Sequence, residues 1–368
     1  MGRLRAVARR CGFQELETPT VESLELYRVK SGDEIGKEVW AFTDKGGREV
    51  ALAPETTPSL ARVFAERAKS EPLPVKWFTV SKLWRYEEPQ AGRTREFLQF
   101  NVDILGVPGV EAEIEILATA SMLLDAAGAE GLYAFRVSDR YLADALGARF
   151  GASDTDRFFR ALDRYRKESE ASLRTELTGA GVSEEAIPQL LGLLAECVGS
   201  TLPLSRSEEF LARLEALALP GRGNEGIAHL RRLMELLPRA GLAECVYLDL
   251  TVVRGLAYYT GLVFEAFDRT GDHRALFGGG RYDQLIELFE GPPTPACGLA
   301  IGDQTLELLL RGHDRWPAGE PSIDTYVVAV TAAEVPLAFE WVAQLRRAGI
   351  AAECDLMGRS MSRQLKEA

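Results

Sequence analysis

The densest cluster of reactive side chains is WRYEEPQAGRTREFLQFNVD, residues 84–103. Arg85, Arg93 and Arg95 alternate there with Glu87, Glu88 and Glu96, so these six charges cancel. A guanidinium fork matches the oxygens of a phosphate. A hairpin through this stretch would turn Arg85 and Gln99 to one face. The same pattern also fits a surface hairpin laced with weak ion pairs. In VRGLAYYTGLVFEAF, residues 253–267, Arg254 stands among apolar residues on an expected central strand. A buried guanidinium needs an anion, and the flanking residues supply none. Tyr258 and Tyr259 would face opposite sides of that strand. The run GGGRYD, residues 278–283, reads either as a backbone cradle for phosphate or as a tight turn before a helix. Glu55, Thr56 and Thr57 close an apolar strand and read alone as a helix N-cap.

These residues need elements to hold them. Helical spacing opens the chain, with Leu4, Val7 and Ala8 on one face. Strands are expected at 39–44, 49–54, 75–87 and 96–106, the last two antiparallel and joined through Pro89 and Gly92. A helix follows, apolar at Ile114, Leu117 and Met122 and ended by Gly128. Residues 141–240 read as a helical insertion. Strands return at 245–255 and 258–269, followed by a glycine-rich turn, a strand and a helix. RGHDRWPAGEPS, residues 311–322, is a linker by composition, and β-α-β-α follows it. The expected fold is α/β (α+β). Its parts are a core over 1–140 and 241–312, a helical insertion over 141–240 and a partial α/β domain over 322–368. The sequence stops inside a helix of that half-domain, so we read it as a fragment.

With 368 residues the chain is long enough for about two domains and a full core. No window of 18 apolar residues occurs, so a membrane helix is excluded. The N-terminus has four arginines and no apolar h-region, which argues against a signal peptide. Five separated cysteines without CxxC, and three histidines, argue against disulfides and a zinc site. A cytoplasmic location is expected. The net charge of −12 argues against non-specific DNA binding and leaves room for a local nucleic-acid patch.

Taken in order, these segments resemble the histidyl-tRNA synthetases, a family of class II aminoacyl-tRNA synthetases. FQELETPTVES is similar to class II motif 1, with Pro19 as its proline. Residues 84–106 are similar to motif 2 with its PQxGRxREF loop. RGLAYYTG and GGGRYD are similar to the two histidine-specific signatures, and the tail to half of an anticodon-binding domain.

The resemblance implies an activity and a set of roles. Histidine is activated with ATP to histidyl-adenylate and passed to the 3′ end of tRNA(His). Glu55, with Thr56 and Thr57, would hold the amino group of histidine. Arg85 would grip the α-phosphate and the histidine carboxylate, with Glu87, Arg93 and Arg95 beside the nucleotide. Gln99 and Asp103 would line the amino-acid pocket, Asp103 facing the imidazole. Tyr258 and Tyr259 would meet the ring, with Tyr282 nearby. Arg254 would stand where other class II enzymes place a metal, so Mg2+ would come only with ATP. Catalysis would be positioning, with Gln99 among the catalytic residues, and charge neutralisation by Arg85 and Arg254. A homodimer is implied, and no membrane or DNA partner. Three positions depart from the family pattern: Thr305 replaces a motif 3 arginine, Ala257 an aspartate and Ala53 an arginine. A non-catalytic paralogue, the histidine-sensing regulatory subunit of ATP phosphoribosyltransferase, shares the core. Retention of Arg85, Gln99 and Arg254, and the start of the tail domain, favour the synthetase.

Overall fold

In this computed structural model the described residues are 1–31, 39–88, 90, 92–253, 259–270, 275–317 and 323–368. Helix α1 (Gly2–Arg10) leads into strands β1 (Gln14–Glu15) and β2 (Val21–Ser23) and helix α2 (Leu24–Ser31). Strands β3 (Ala41–Thr43) and β4 (Glu49–Leu52) precede helix α3 (Thr57–Arg67). The long hairpin is β5 (Val75–Trp84) and β6 (Glu96–Leu105), followed by α4 (Glu111–Ala127) and β7 (Tyr133–Asp139). A helical stretch runs through α5 (Arg140–Arg149), α6 (Thr155–Arg164), α7 (Glu170–Gly179), α8 (Ile187–Cys197), the short strand β8 (Leu202–Pro203), α9 (Glu208–Ala216) and α10 (Gly223–Leu236). Then come β9 (Val246–Leu248), β10 (Leu262–Asp268), β11 (Phe277–Arg281), β12 (Ala296–Gly302) and α11 (Asp303–Gly312). Strand β13 (Thr325–Val327), α12 (Val335–Arg347), β14 (Ala352–Cys354) and α13 (Met361–Glu367) finish the chain.

Two compact units result, Met1–Trp316 and Pro317–Ala368. The first is built on a nine-stranded sheet in the order β1-β5-β6-β12-β11-β10-β7-β9-β8. Its central pairs are antiparallel, while β1–β5 and β7–β9 are parallel. Alternation along β6 sends Phe100, Val102 and Ile104 to one face, where they join the main core with α1 and α4. Gln99, Asn101 and Asp103 therefore occupy the other face. In the second unit β13 and β14 pair in parallel, and the buried Gln364 amide closes on the backbone of Ala329. Among the described residues no helix is long and apolar enough to cross a membrane.

Several expectations change. GGGR is not a turn but strand β11, paired on both sides. Its backbone groups serve the ladder, so the phosphate-cradle reading falls. Glycine is required there because a side chain at Gly280 would come within 2.7 Å of the Leu262 carbonyl. The strand expected at 245–255 ends at Leu248, and β9 lies second from the sheet edge rather than at its centre. Tyr259 precedes β10 instead of lying in a strand. Arg254, Ala257 and Tyr258 fall outside the described residues. Gly128 does end α4, in the left-handed conformation, but Met122 is exposed.

Candidate active site

The polar face of the sheet is bounded by two small apolar clusters. Leu60, Phe64, Trp77 and Tyr282 form one, with Tyr259 packed against it; Tyr27, Ala53 and Leu83 form the other, with Phe97 packed against it. Between them run Ser81 opposite Gln99 and Thr79 opposite Asn101, with Asp103 at the end of the row. Gln99, Asn101, Asp103 and Thr79 are all buried. Thr79 Oγ1, Asn101 Oδ1 and Asp103 Oδ2 are sealed from solvent and lack hydrogen-bond partners among the described residues. A native protein satisfies nearly all buried polar groups, so such a row marks a place built for something polar. Asn101 and Thr79 were not among the residues singled out from sequence. The signal was present in the period-two alternation Gln99, Asn101, Asp103 within β6.

Asp103 is 2 % exposed and accepts a hydrogen bond from the Tyr282 hydroxyl. Burial pushes its carboxyl up to about 7, against the opposing pull of that bond. The room for the carboxylate comes from β12. Gly298 lies opposite Asp103, and a Cβ at Gly298 would collide with Asp103 Oδ1. Gly280 continues this row on β11. Thus two glycines floor the sheet beside Asp103, with Tyr282 adjoining.

Arg85 extends the same face at the loop end of the hairpin. Its Nε donates to the Pro54 carbonyl at 3.0 Å, and its guanidinium lies 5.2 Å from the Phe97 ring centroid. The Trp84 amide donates to the Ala53 carbonyl, so the hairpin is stitched to the turn that carries Glu55. Glu55 is buried. Thr56 does take the N-cap position of α3, yet its hydroxyl makes no capping bond and is sealed without a partner among the described residues. Thr57 is the first residue of the helix. Glu87 lies between two guanidiniums, 4.0 Å from Arg85 and 3.3 Å from Arg93, and its carbonyl accepts from Arg95. These side chains remain partly exposed. Gly92, at the loop tip with φ 74°, faces Leu308 and Thr305 of α11. Thr305 itself donates to the Leu276 carbonyl at 2.6 Å.

The hairpin that carries Arg85 thus belongs to the same antiparallel sheet as the buried Asp103–Tyr282 pair. The sequence profile of the family described as histidyl-tRNA synthetase matches residues 1–306. Over 367 residues the chain is 41 % identical to a histidine–tRNA ligase of Natronomonas pharaonis, covering 98 % of this chain and 81 % of that one. A crystal structure of histidyl-tRNA synthetase from Nostoc superposes with a TM-score of 0.86 at 23 % identity, covering 100 % of this chain and 84 % of that one. An ATP phosphoribosyltransferase regulatory subunit/histidyl-tRNA synthetase from Bacillus halodurans superposes at 0.80, also 23 % identical, covering 100 % and 90 %. Likeness at that identity speaks for the fold alone. The chain belongs to the histidyl-tRNA synthetase family.

Proposed function

We propose that this chain is a histidine–tRNA ligase whose imidazole socket is Asp103 with Tyr282. The observation that carries the reading is the sealed carboxylate: Asp103 Oδ1 is held by Tyr282 while Oδ2 is unpartnered among the described residues. An imidazole N–H is a donor of the right size for Oδ2, and imidazole is the group that distinguishes histidine. Two residues along a strand span about 7 Å. The polar groups beyond Asp103 therefore fall beside the substrate's α-carbon, and Arg85 beyond them toward the nucleotide.

In the proposed reaction Glu55, with Thr56 and Thr57, receives the ammonium of histidine. Gln99 and Arg85 orient its carboxylate against the α-phosphorus of ATP. A carboxylate oxygen attacks, the bond to the β-phosphate bridging oxygen breaks, and pyrophosphate leaves. Arg85, Arg93 and Arg95, with Glu87 setting their spacing, neutralise phosphate charge; Mg2+ enters with ATP as part of that substrate. Arg254 is assigned to the same phosphate by the resemblance, and Tyr258 and Tyr259 to the imidazole ring. A terminal hydroxyl of tRNA(His) then attacks the carbonyl of the adenylate and releases AMP. We place this activity in the cytoplasm and assign it to a homodimer.

Charging of a tRNA(His) transcript with labelled histidine tests the reading. Acid-stable label in the tRNA, dependent on ATP, is the expected result; binding of histidine without transfer would favour the sensor paralogue.

A further inference from the structure

Arg281 is 5 % exposed and Glu113 1 %, and neither is used by the reaction described above. Arg281 Nε and Nη2 donate to the two Glu113 carboxylate oxygens at 2.5 and 2.7 Å. The remaining donors go to the Val107 carbonyl at 3.0 Å, the Gly109 carbonyl at 2.8 Å and Asp283 Oδ1 at 3.2 Å. Burial pushes the Glu113 carboxyl up, while the bond to Glu113 raises Arg281 despite its own burial. Such a pair is weak evidence for stability, since apolar residues of similar volume often serve as well. What it specifies is geometry.

The geometry is particular. β6 and β11 are not neighbours; β12 lies between them. Arg281 pairs in register with Cys297, and Cys297 with Ile104, both in the main core behind the sheet. The next residue, Tyr282, turns to the front and bonds Asp103. Val107 and Gly109 belong to the loop that leaves β6 just after Asp103. The same two stretches of chain are thus joined twice, in front by Tyr282 and Asp103, behind by Arg281 and the loop. Asp283 extends the clamp, since its Oδ1 also accepts the Ala296 amide of β12.

We propose that the Arg281–Glu113 pair is a truss behind the sheet that fixes the separation of Tyr282 from Asp103, making Arg281 a positioning residue for recognition of the imidazole. This rests on Asp103 and Tyr282 being the imidazole socket. The test is steady-state ATP–pyrophosphate exchange on the full chain, with KM measured separately for histidine and ATP. Three proteins carry it: Arg281→Lys, the isosteric Glu113→Gln, and the charge-free pair Arg281→Met with Glu113→Leu, which leaves no lone buried charge. The truss predicts a histidine KM at least tenfold higher in Arg281→Lys and in the charge-free pair. Glu113→Gln, which keeps an acceptor, should fall between them and wild type. The ATP KM should stay within twofold throughout. A charge-free pair that melts as wild type does yet shows the raised histidine KM excludes a bracing role. Histidine KM within twofold of wild type in all three, with only the melting temperature lowered, overturns the proposal. Wild type without histidine-dependent exchange would instead overturn the socket on which it rests.

Discussion

Asp103 carries the sharpest residue-scale prediction. Its charged form should accept from the imidazole, so Asp103→Asn raises the histidine KM roughly tenfold to a hundredfold, the worth of one charged hydrogen bond. The ATP KM stays as it was; an unchanged histidine KM would refute the role. The carboxyl titrates at about 7 because it is buried. Protonation removes the acceptor, so kcat/KM for histidine should fall as pH drops below about 7, and Asp103→Asn should lack that break. Stability follows the opposite sense. A carboxyl raised in the folded state destabilises it as pH climbs through the folded value. Asp103→Asn should therefore melt above wild type at pH 8, with the gap closing toward pH 4, as calorimetry at the two pH values would show. Much of this was legible in the sequence. The hairpin reading turned Arg85 and Gln99 to one face, and only the family resemblance added Asp103 and attached the imidazole to it. The bond from Tyr282 was not legible, because the two residues are joined only through sheet order. Asn101 was passed over although the same period-two alternation sets it between Gln99 and Asp103, because an amide on a strand suggests no chemistry by itself.

At the scale of elements, the glycines decide what the sheet can hold. Gly298 keeps its strand clear of the Asp103 carboxylate. Gly298→Ala should force that carboxylate off its bond with Tyr282, costing roughly 1–3 kcal/mol in stability from overpacking. It should also weaken histidine binding by more than tenfold, read by calorimetric titration; a variant that binds histidine as wild type does would contradict the glycine floor. Composition hid the neighbouring strand β11. Three successive glycines read as a turn because glycine is the usual turn residue, whereas here close packing of backbone against backbone is what excludes side chains. The β5–β6 hairpin was legible for the converse reason: ten-residue strands with clear alternation carry their own register. Beyond the sheet, α10 is tied to the start of α5 by His229, whose Nδ1 lies 2.8 Å from the buried Asp139 that caps α5. The helical stretch read from residues 141–240 is therefore anchored to the end of β7 through a side chain that no helical pattern reveals.

The whole molecule adds the question of assembly. The apolar face of α1, with Leu4, Val7 and Ala8, is already consumed by packing on α4, so it is not available to a partner. The surface left near the N-terminus is the three-stranded sheet β2-β4-β3, where Val21 and Phe42 are exposed. The sequence puts a symmetric homodimer contact at residues near 1–30; we expect β2, rather than the α1 apolar face, to make it, together with the neighbouring strands β3 and β4 of the same sheet. Light scattering at micromolar concentration should give twice the chain mass of 40.5 kDa, and Val21→Glu with Phe42→Glu should halve it. A wild-type monomer would rule this interface out. The net charge of −12 confines any attraction for tRNA to local surfaces, so charging should weaken with salt more steeply than adenylate formation does. The central claim, that Asp103, Tyr282 and Arg85 serve adenylation of histidine, is tested most directly by ATP–pyrophosphate exchange without tRNA. Exchange that requires histidine, ignores the other amino acids and falls by at least a hundredfold in Arg85→Ala is the expected result. A folded wild-type protein that binds histidine yet exchanges no pyrophosphate would contradict it.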